Sequence, residues 1–187
     1  MFFLASRGLR ALPQFLAACA VPSGTEALWI PTAANAIAGA SKLRDHVRAD
    51  LSTLFPLVEL DLDRQDAAPL KSAKLILVTG GDPAHLVQRL QAPRVSALLK
   101  AAIARNVPYI GISAGAIAVG PSLEPYGTKG PALGLVPFVV LPHAQRADRV
   151  ARNQALEQRF GGRLTLLPLR DDQAVIVDNA GHRIVES

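Results

Sequence analysis

Short apolar runs alternate along the chain with longer segments in which apolar residues recur every three or four positions. Phe2 to Ala5 and Lys74 to Thr79 are runs of the first kind and have the length and composition of strands. Lys42 to Leu54 is of the second kind, because its leucines and valine fall on one helical face. This alternation predicts an α/β fold, a three-layer sandwich in which helices cover both faces of a mostly parallel sheet.

The same reasoning assigns the remaining elements. Predicted helices are Arg10 to Ala20, Pro83 to Leu90, Arg94 to Arg105, Ala114 to Val119 and Arg146 to Phe160. Predicted strands are Ala27 to Pro31, Leu57 to Leu62, Pro108 to Ile112, Phe138 to Leu141, Leu164 to Leu167, Ala174 to Val177 and Arg183 to Val185. Gly120 to Pro142 is rich in proline and glycine and is predicted to be irregular. Because no linker or repeat is visible, residues 1–187 are predicted to form a single domain.

The composition narrows the classes of protein that this chain can belong to. Half of the residues are hydrophobic, which is enough for a core on both faces of a sheet. The formal net charge is +5, but the basic residues are mostly scattered and only 5% of the chain is aromatic, so no nucleic-acid-binding module is indicated. No apolar run approaches the roughly 20 residues of a membrane-spanning helix. The one cysteine, Cys19, cannot form an internal disulfide. We expect a cytoplasmic protein without nucleic-acid or membrane partners; a homodimer is compatible with its size.

The segment Gly111-Ile112-Ser113-Ala114-Gly115 matches the G-x-S-x-G nucleophile elbow. A predicted buried strand precedes it and a predicted helix of small residues follows it, which is the context that this motif requires. Ser113 would then project from the carboxyl edge of the sheet, close to the free N–H groups of the next helix. We predict that Ser113 is a nucleophile and that the Ala114 N–H binds an oxyanion. An ordinary tight turn is the alternative.

A second glycine turn, Gly80-Gly81-Asp82, has the same layout, with a strand before it and a helix after it. In a parallel sheet it opens at the same edge as Ser113, so its N–H groups are candidates for the second half of an oxyanion hole. A phosphate-binding loop is the rival interpretation, but the glycine spacing of such loops is missing and Asp82 would repel phosphate. Asp82 is also a candidate helix N-cap.

A serine nucleophile requires a base, and histidine titrates in the useful pH range. His46 and His85 fall on predicted helices and are expected at the surface. His143 follows a predicted strand, and His182 lies beside a predicted turn, Asp178 to Gly181. Both of the latter remain candidates for the base.

The acid that orients the base is also ambiguous at this stage. The chain order Ser113, Asp171 or Asp172, His182 would match that of α/β-hydrolases. The order Ser113, His143, Asp171 would be a different permutation of the same chemistry. The spacing of these residues is compatible with either order.

Three segments together resemble a known family. Gly80-Gly81-Asp82, residues 111–116 with the sequence GISAGA, and Leu141-Pro142-His143 resemble the S51 peptidases in order and spacing. That family includes α-aspartyl dipeptidase (peptidase E) and cyanophycinase. The resemblance runs from the first strand to residue 174 and implies a flavodoxin-like fold similar to class I glutamine amidotransferases.

The resemblance also implies roles for individual residues. Ser113 would be the nucleophile and His143 the base, with Gly81 and Ala114 as oxyanion donors. A carboxylate matching Asp171 would orient the histidine; Asp172 and Glu124 are the alternatives. No cofactor and no metal is implied. A class I amidotransferase would need cysteine at the elbow, whereas the one cysteine of this chain is Cys19.

The expected substrate is a small acidic peptide. Arg146, Arg149 and Arg152 follow His143 at three-residue intervals, and arginine binds carboxylates through paired hydrogen bonds. Together with Asp82 they are the predicted substrate-binding residues, although a solvated helix face has the same pattern. The resemblance implies a serine dipeptidase that cleaves Asp-X peptides. A cyanophycinase-like or isoaspartyl peptidase, an esterase using His182 and a non-catalytic protein that binds acidic peptides are the alternatives.

Overall fold

The structure is a computed structural model that describes all residues, Met1–Ser187. The strands are β1 (Phe2–Ala5), β2 (Ala27–Ile30), β3 (Leu57–Glu59), β4 (Ile76–Val78), β5 (Tyr109–Ile112), β6 (Phe138–Leu141), β7 (Thr165–Pro168), β8 (Gln173–Asp178) and β9 (Gly181–Glu186). The α-helices are α1 (Leu12–Ala18), α2 (Ala40–Ser52), α3 (Pro83–Leu90), α4 (Pro93–Ala104), α5 (Ala114–Ala118) and α6 (Ala147–Phe160). Three short 3₁₀ helices cover Thr32–Ala36, Ala68–Lys71 and Glu124–Tyr126.

Seven strands form one sheet in the order β3-β2-β4-β5-β1-β8-β9. The first five strands in this order are parallel, whereas β8 and β9 are added as an antiparallel pair. Strands β6 and β7 form a separate parallel pair. One apolar cluster lies beneath α1 and α2, and another on the opposite face includes residues of α3, α4 and α5. This architecture confirms the predicted three-layer α/β class. None of the helices has both the length and the apolar composition that crossing a membrane requires.

Three elements have the predicted bounds: β1, β6 and α3. The predicted strand Leu57 to Leu62 is too long, since β3 ends at Glu59. Beyond that point the side chains of Asp61 and Asp63 accept hydrogen bonds from the amide of Asn35, at 2.8 and 2.7 Å, and the chain turns away from the sheet. A polar network thus replaces the expected strand pairing.

The two glycines of the elbow allow α5 to approach the sheet closely. A Cβ atom on Gly115 would lie 2.2 Å from the carbonyl oxygen of Val78, at the end of β4. A Cβ atom on Gly111 would lie 2.6 Å from the carbonyl oxygen of Gly115. Both distances are far below van der Waals contact, so any larger residue would separate the helix from β4 and β5. The Tyr109 hydroxyl adds a 2.9 Å hydrogen bond to the Gly115 carbonyl oxygen.

We therefore predict that Gly115→Ala lowers the free energy of unfolding by about 1–3 kcal/mol, as overpacking of a close contact typically does. Gly162→Ala is the matched control, because nothing lies within 4 Å of the position of its Cβ atom. Urea unfolding of the two variants and of the unchanged chain measures the effect. Equal stability of the two variants would show that the contact between α5 and β4 tolerates a methyl group.

Candidate active site

The candidate site lies where the carboxyl ends of β4, β5 and β1 are adjacent. Because these strands are parallel neighbours, the residues that follow them emerge at one edge of the sheet. A cleft of about 700 Å³ opens there. Its lining includes seven predicted site residues: Gly81, Asp82, Ser113, His143, Arg146, Arg149 and Arg152.

Ser113 occupies a strained turn between β5 and α5. Its φ is 51° and its ψ is −107°, a conformation that a residue with a side chain rarely adopts. The strained backbone is fixed on both sides. The Ser113 N–H donates to the Ala5 carbonyl oxygen at 3.0 Å, and the Ser113 carbonyl oxygen accepts from the N–H groups of Ala116 and Ile117. In this arrangement Ser113 Oγ lies 3.4 Å from Nε2 of His143.

His143 follows β6 after one proline, and its φ of 65° is also in the left-handed region. Its Nδ1 forms a hydrogen bond with Oδ1 of Asp171. Since a carboxylate accepts, the proton of a neutral His143 ring resides on Nδ1. Nε2 is then free to accept the hydroxyl proton of Ser113.

Asp171 lies in the loop before β8 and is contacted at both of its carboxylate oxygens. Besides the bond from His143, Oδ1 accepts from the Ser6 hydroxyl at 3.2 Å, and Oδ2 accepts from Arg146 at 3.2 Å. Partial burial would raise the pKa of Asp171, but hydrogen bonds from His143, Gln145 and Arg146 outweigh it and lower the pKa to about 2. The carboxylate is therefore ionised at neutral pH.

Two backbone N–H groups near Ser113 were predicted as oxyanion donors: that of Ala114, the next residue, and that of Gly81, in the lining of the same cleft. The N–H groups of Gly81 and Ala114 donate to no acceptor in the protein. Gly81 is positioned by a close approach to the 3₁₀ helix Thr32–Ala36: its φ is 145°, and a Cβ atom there would lie 2.1 Å from the Ala33 carbonyl oxygen. The neighbouring Gly80 runs alongside the serine, since its Cβ position lies 3.7 Å from Ser113 Oγ.

Two of the three cleft arginines already have partners. Arg146 donates to Asp171, as described above. Arg152 donates to the carbonyl oxygen of Pro125 at 3.0 Å, and its guanidinium lies 4.9 Å from the centroid of the Tyr126 ring. The first contact joins the N-cap residue of α6 to Asp171, and the second joins α6 to the irregular segment.

Arg149 is the cleft arginine whose terminal nitrogens have no partner in the protein. Its Nε lies 3.1 Å from Oδ2 of Asp148 but lacks the geometry of a hydrogen bond. Asp82, which also lines the cleft, caps α3 by accepting the His85 N–H at 2.7 Å through Oδ1, which confirms the predicted N-cap. Its Oδ2 has no hydrogen-bond donor in the protein.

The family model of peptidase family S51 matches residues 4–185 of the chain. The chain belongs to peptidase family S51. The match spans almost all of the described fold, including every residue that lines the cleft.

Individual relatives agree with this assignment. An uncharacterized peptidase of Pasteurella multocida is 29% identical over 95% of this chain and 93% of its own length. Peptidase E of a Shewanella species is 34% identical over 57% of this chain and 50% of its own length. Among solved structures, a protein described as a peptidase E of Listeria monocytogenes superposes with a TM-score of 0.78 at 23% identity, covering 100% of this chain and 98% of the other. At that identity the superposition supports the fold alone.

Both alternative acids of this S51 peptidase lie away from His143. Asp172 pairs with Arg170 at 3.0 Å, and Glu124 pairs with Arg163 at 2.9 Å. Asp171, by contrast, contacts the imidazole directly. Adjacent residues of a chain point in different directions, which is why Asp171 and Asp172 have different partners.

The other histidines of the S51 peptidase also have separate environments. The His182 ring lies against Phe138, with 4.9 Å between ring centroids, and does not contact the elbow. His46 is exposed on α2, as expected. His85 is only 21% exposed, less than expected for a surface residue, because its Nε2 forms a 2.9 Å hydrogen bond with Asp63.

Ser6 is a site residue that the sequence analysis missed. It follows β1 directly, is fully buried and contacts both His143 and Asp171. A polar residue at the carboxyl end of an apolar parallel strand is a signal for such a position. A single serine has no spacing pattern, however, so the signal is weak.

The low pKa of Asp171 predicts a pH-dependent contribution to the stability of the S51 peptidase. Because the pKa falls from 3.8 to about 2 on folding, the ionised carboxylate stabilises the folded state above about pH 4, and this stabilisation is lost as the pH falls towards 2. We expect Asp171→Asn to flatten this part of the pH profile of the unfolding free energy. Asp45→Asn, at an exposed position on α2, is the control. Parallel profiles for Asp171→Asn and the unchanged chain would contradict the prediction.

Proposed function

We propose that this chain is a serine dipeptidase that cleaves peptides with an N-terminal aspartate through an acyl-enzyme. The observation that carries the proposal is the linear arrangement of Ser113, His143 and Asp171. Ser113 Oγ lies 3.4 Å from His143 Nε2, and the other ring nitrogen is bonded to the carboxylate. A distance of 3.4 Å is typical of a site without substrate, in which catalytic hydrogen bonds are often long.

In the proposed mechanism, His143 Nε2 removes the hydroxyl proton while Ser113 Oγ attacks the carbonyl carbon of the aspartyl residue. The tetrahedral oxyanion accepts hydrogen bonds from the N–H groups of Gly81 and Ala114. The ionised Asp171 stabilises the imidazolium that forms. His143 then donates the proton to the leaving amine as the C–N bond breaks. A water molecule, deprotonated by His143, then attacks the ester carbonyl carbon, and His143 returns the proton to Ser113 Oγ as the ester C–O bond breaks, which releases aspartate and regenerates the Ser113 hydroxyl.

The charges that line the cleft support an aspartyl substrate. Arg149 offers its two terminal guanidinium nitrogens, which have no partner in the protein, to the substrate carboxylate, whereas Arg146 and Arg152 are bonded to other parts of the protein. The free Oδ2 of Asp82 lies in the lining of the same cleft and suits the α-ammonium group of the substrate. The side-chain carboxylate and the α-ammonium group of an N-terminal aspartate would thus each meet a side chain of opposite charge. Of the three predicted arginines, we assign substrate binding to Arg149 and positioning roles to Arg146 and Arg152.

We also propose that residues 1–187 act as one catalytic domain. Both apolar clusters share the seven-stranded sheet, and the site draws on residues from position 6 to position 171.

The triad is tested by labelling with a fluorophosphonate, which reacts with activated serines. We expect covalent labelling of Ser113, its loss in Ser113→Ala and His143→Ala, and its retention in His182→Ala. Intact-mass and peptide mass spectrometry measure the label. An unlabelled chain would favour a peptide-binding protein without catalysis, and labelling that depends on His182 would favour the esterase arrangement.

Specificity is tested with a panel of Asp-X, Glu-X, Ala-X and β-aspartyl-Arg dipeptides. We expect Asp-X to be hydrolysed with the highest kcat/KM. Arg149→Gln should raise KM for Asp-X about 10- to 100-fold, since a hydrogen bond to a charged group contributes about 1.5–3 kcal/mol. Arg159→Gln is the control, because Arg159 lies on the same helix against the Phe160 ring and outside the cleft lining. Preferred cleavage of β-aspartyl-Arg would reassign the enzyme as an isoaspartyl peptidase.

A further inference from the structure

The buried hydroxyl of Ser6 connects the two residues that activate Ser113 in the proposed mechanism. Ser6 Oγ accepts a hydrogen bond from the backbone N–H of His143 at 2.8 Å. It donates to Oδ1 of Asp171 at 3.2 Å and lies 3.5 Å from Nδ1 of His143. The Ser6 residue has no exposed surface and is absent from the cleft lining, so it does not meet the substrate.

The position of Ser6 is itself fixed by the sheet. Its backbone N–H donates to the Gln173 carbonyl oxygen at 3.1 Å, at the start of β8 and two residues after Asp171. The preceding residue, Ala5, accepts the Ser113 N–H at 3.0 Å. The end of β1 therefore contacts the chain segments of the nucleophile, the base and the acid.

The contact from His143 to Ser6 stabilises an unfavourable backbone conformation. A residue other than glycine with a φ of 65° is strained by about 1–3 kcal/mol and requires support from its surroundings. The backbone N–H of His143 has the Ser6 hydroxyl as its acceptor. Without that hydroxyl, a partly buried N–H would lack an acceptor, and a relaxed backbone would direct the imidazole elsewhere.

The single proton of the Ser6 hydroxyl determines the direction of the remaining bond. Because Oγ accepts from the amide of His143, its own proton is available for Oδ1 of Asp171. Oδ1 then accepts from both Ser6 and the imidazole, while Oδ2 accepts from Arg146. The three donors restrict rotation of the carboxylate.

We propose that Ser6 is a positioning residue of the hydrolytic reaction, which orients His143 and Asp171 so that Nε2 faces Ser113. The inference rests on the triad proposed above. Ser6 makes no contact with the reacting atoms; it acts through the base and the acid.

The test compares Ser6→Ala, Ser6→Cys and Ser6→Thr. The rate of fluorophosphonate labelling of Ser113 is measured from pH 5 to 9, alongside urea unfolding of each variant. Ser6→Ala should reduce the labelling rate about 10- to 100-fold, because small misplacements of catalytic groups have effects of that size. It should also move the midpoint of the pH profile. Ser6→Cys, which preserves the volume with a poorly hydrogen-bonding thiol, should reproduce the loss even if Ser6→Ala does not fold. Ser6→Thr keeps a hydroxyl at this position and should therefore label at most of the rate of the unchanged chain.

Ser122→Ala is the matched control. Ser122 is also a buried serine whose hydroxyl accepts a backbone N–H, that of Glu124 at 3.1 Å, and it does not contact the triad. Its labelling rate and pH midpoint should equal those of the unchanged chain.

The outcomes separate this inference from the proposed function. If the unchanged chain labels at Ser113 and Ser6→Cys labels equally fast with the same pH midpoint, Ser6 has no positioning role. Equal losses in all three Ser6 variants without a shift in midpoint would indicate a structural role only and would also overturn the inference. Absence of labelling in the unchanged chain would overturn the triad and this inference together.

Discussion

Parallel pairing of β4, β5 and β1 is the constraint on which the candidate site depends. Their register places Val78, Gly111 and Leu4 side by side, so the residues that follow each strand meet at one edge. The pairing alone does not create the site, because α5 must also begin immediately after Ser113. That start is possible because a glycine on α5 lies against the carbonyl oxygen of Val78, where a Cβ atom would collide. The sheet and the glycine together place Ser113 at the carboxyl edge of the sheet, in the same cleft lining as Gly81.

The charged side chains in and beside the cleft have different partners. The carboxylate of Asp171 accepts hydrogen bonds from Arg146 and from the imidazole of His143, which help to keep it ionised at neutral pH. Arg152 donates to the carbonyl oxygen of Pro125 and thereby connects α6 with the irregular segment, which also lines the cleft. Arg149 differs from both: its Nε lies 3.1 Å from Asp148, but its two terminal nitrogens have no partner in the protein and are available to an anionic substrate.

The sequence was sufficient to predict the fold and the elbow, because both depend on local patterns. Strand-like runs, helical periodicity and glycine spacing are visible without knowledge of tertiary contacts. Spacing along the chain did not decide between His143 and His182, because one follows a strand and the other follows a turn. The tertiary arrangement decides, since it places only His143 beside Ser113. The equal spacing of the three arginines concealed their different partners. Ser6 was missed because its role arises from residues more than one hundred positions away.

The structure contains four residues other than glycine with positive φ, and Ser113 and His143 are two of them. Both are stabilised by the same strand end. The backbone N–H of Ser113 donates to Ala5, and that of His143 donates to the side chain of Ser6, the next residue. A small displacement of β1 would therefore move both residues in the same direction and change the distance between Oγ and Nε2 very little. Two strained residues that are bonded to Ala5 and Ser6, the last residue of β1 and the one after it, share one support in the fold, which two separate loops would not provide.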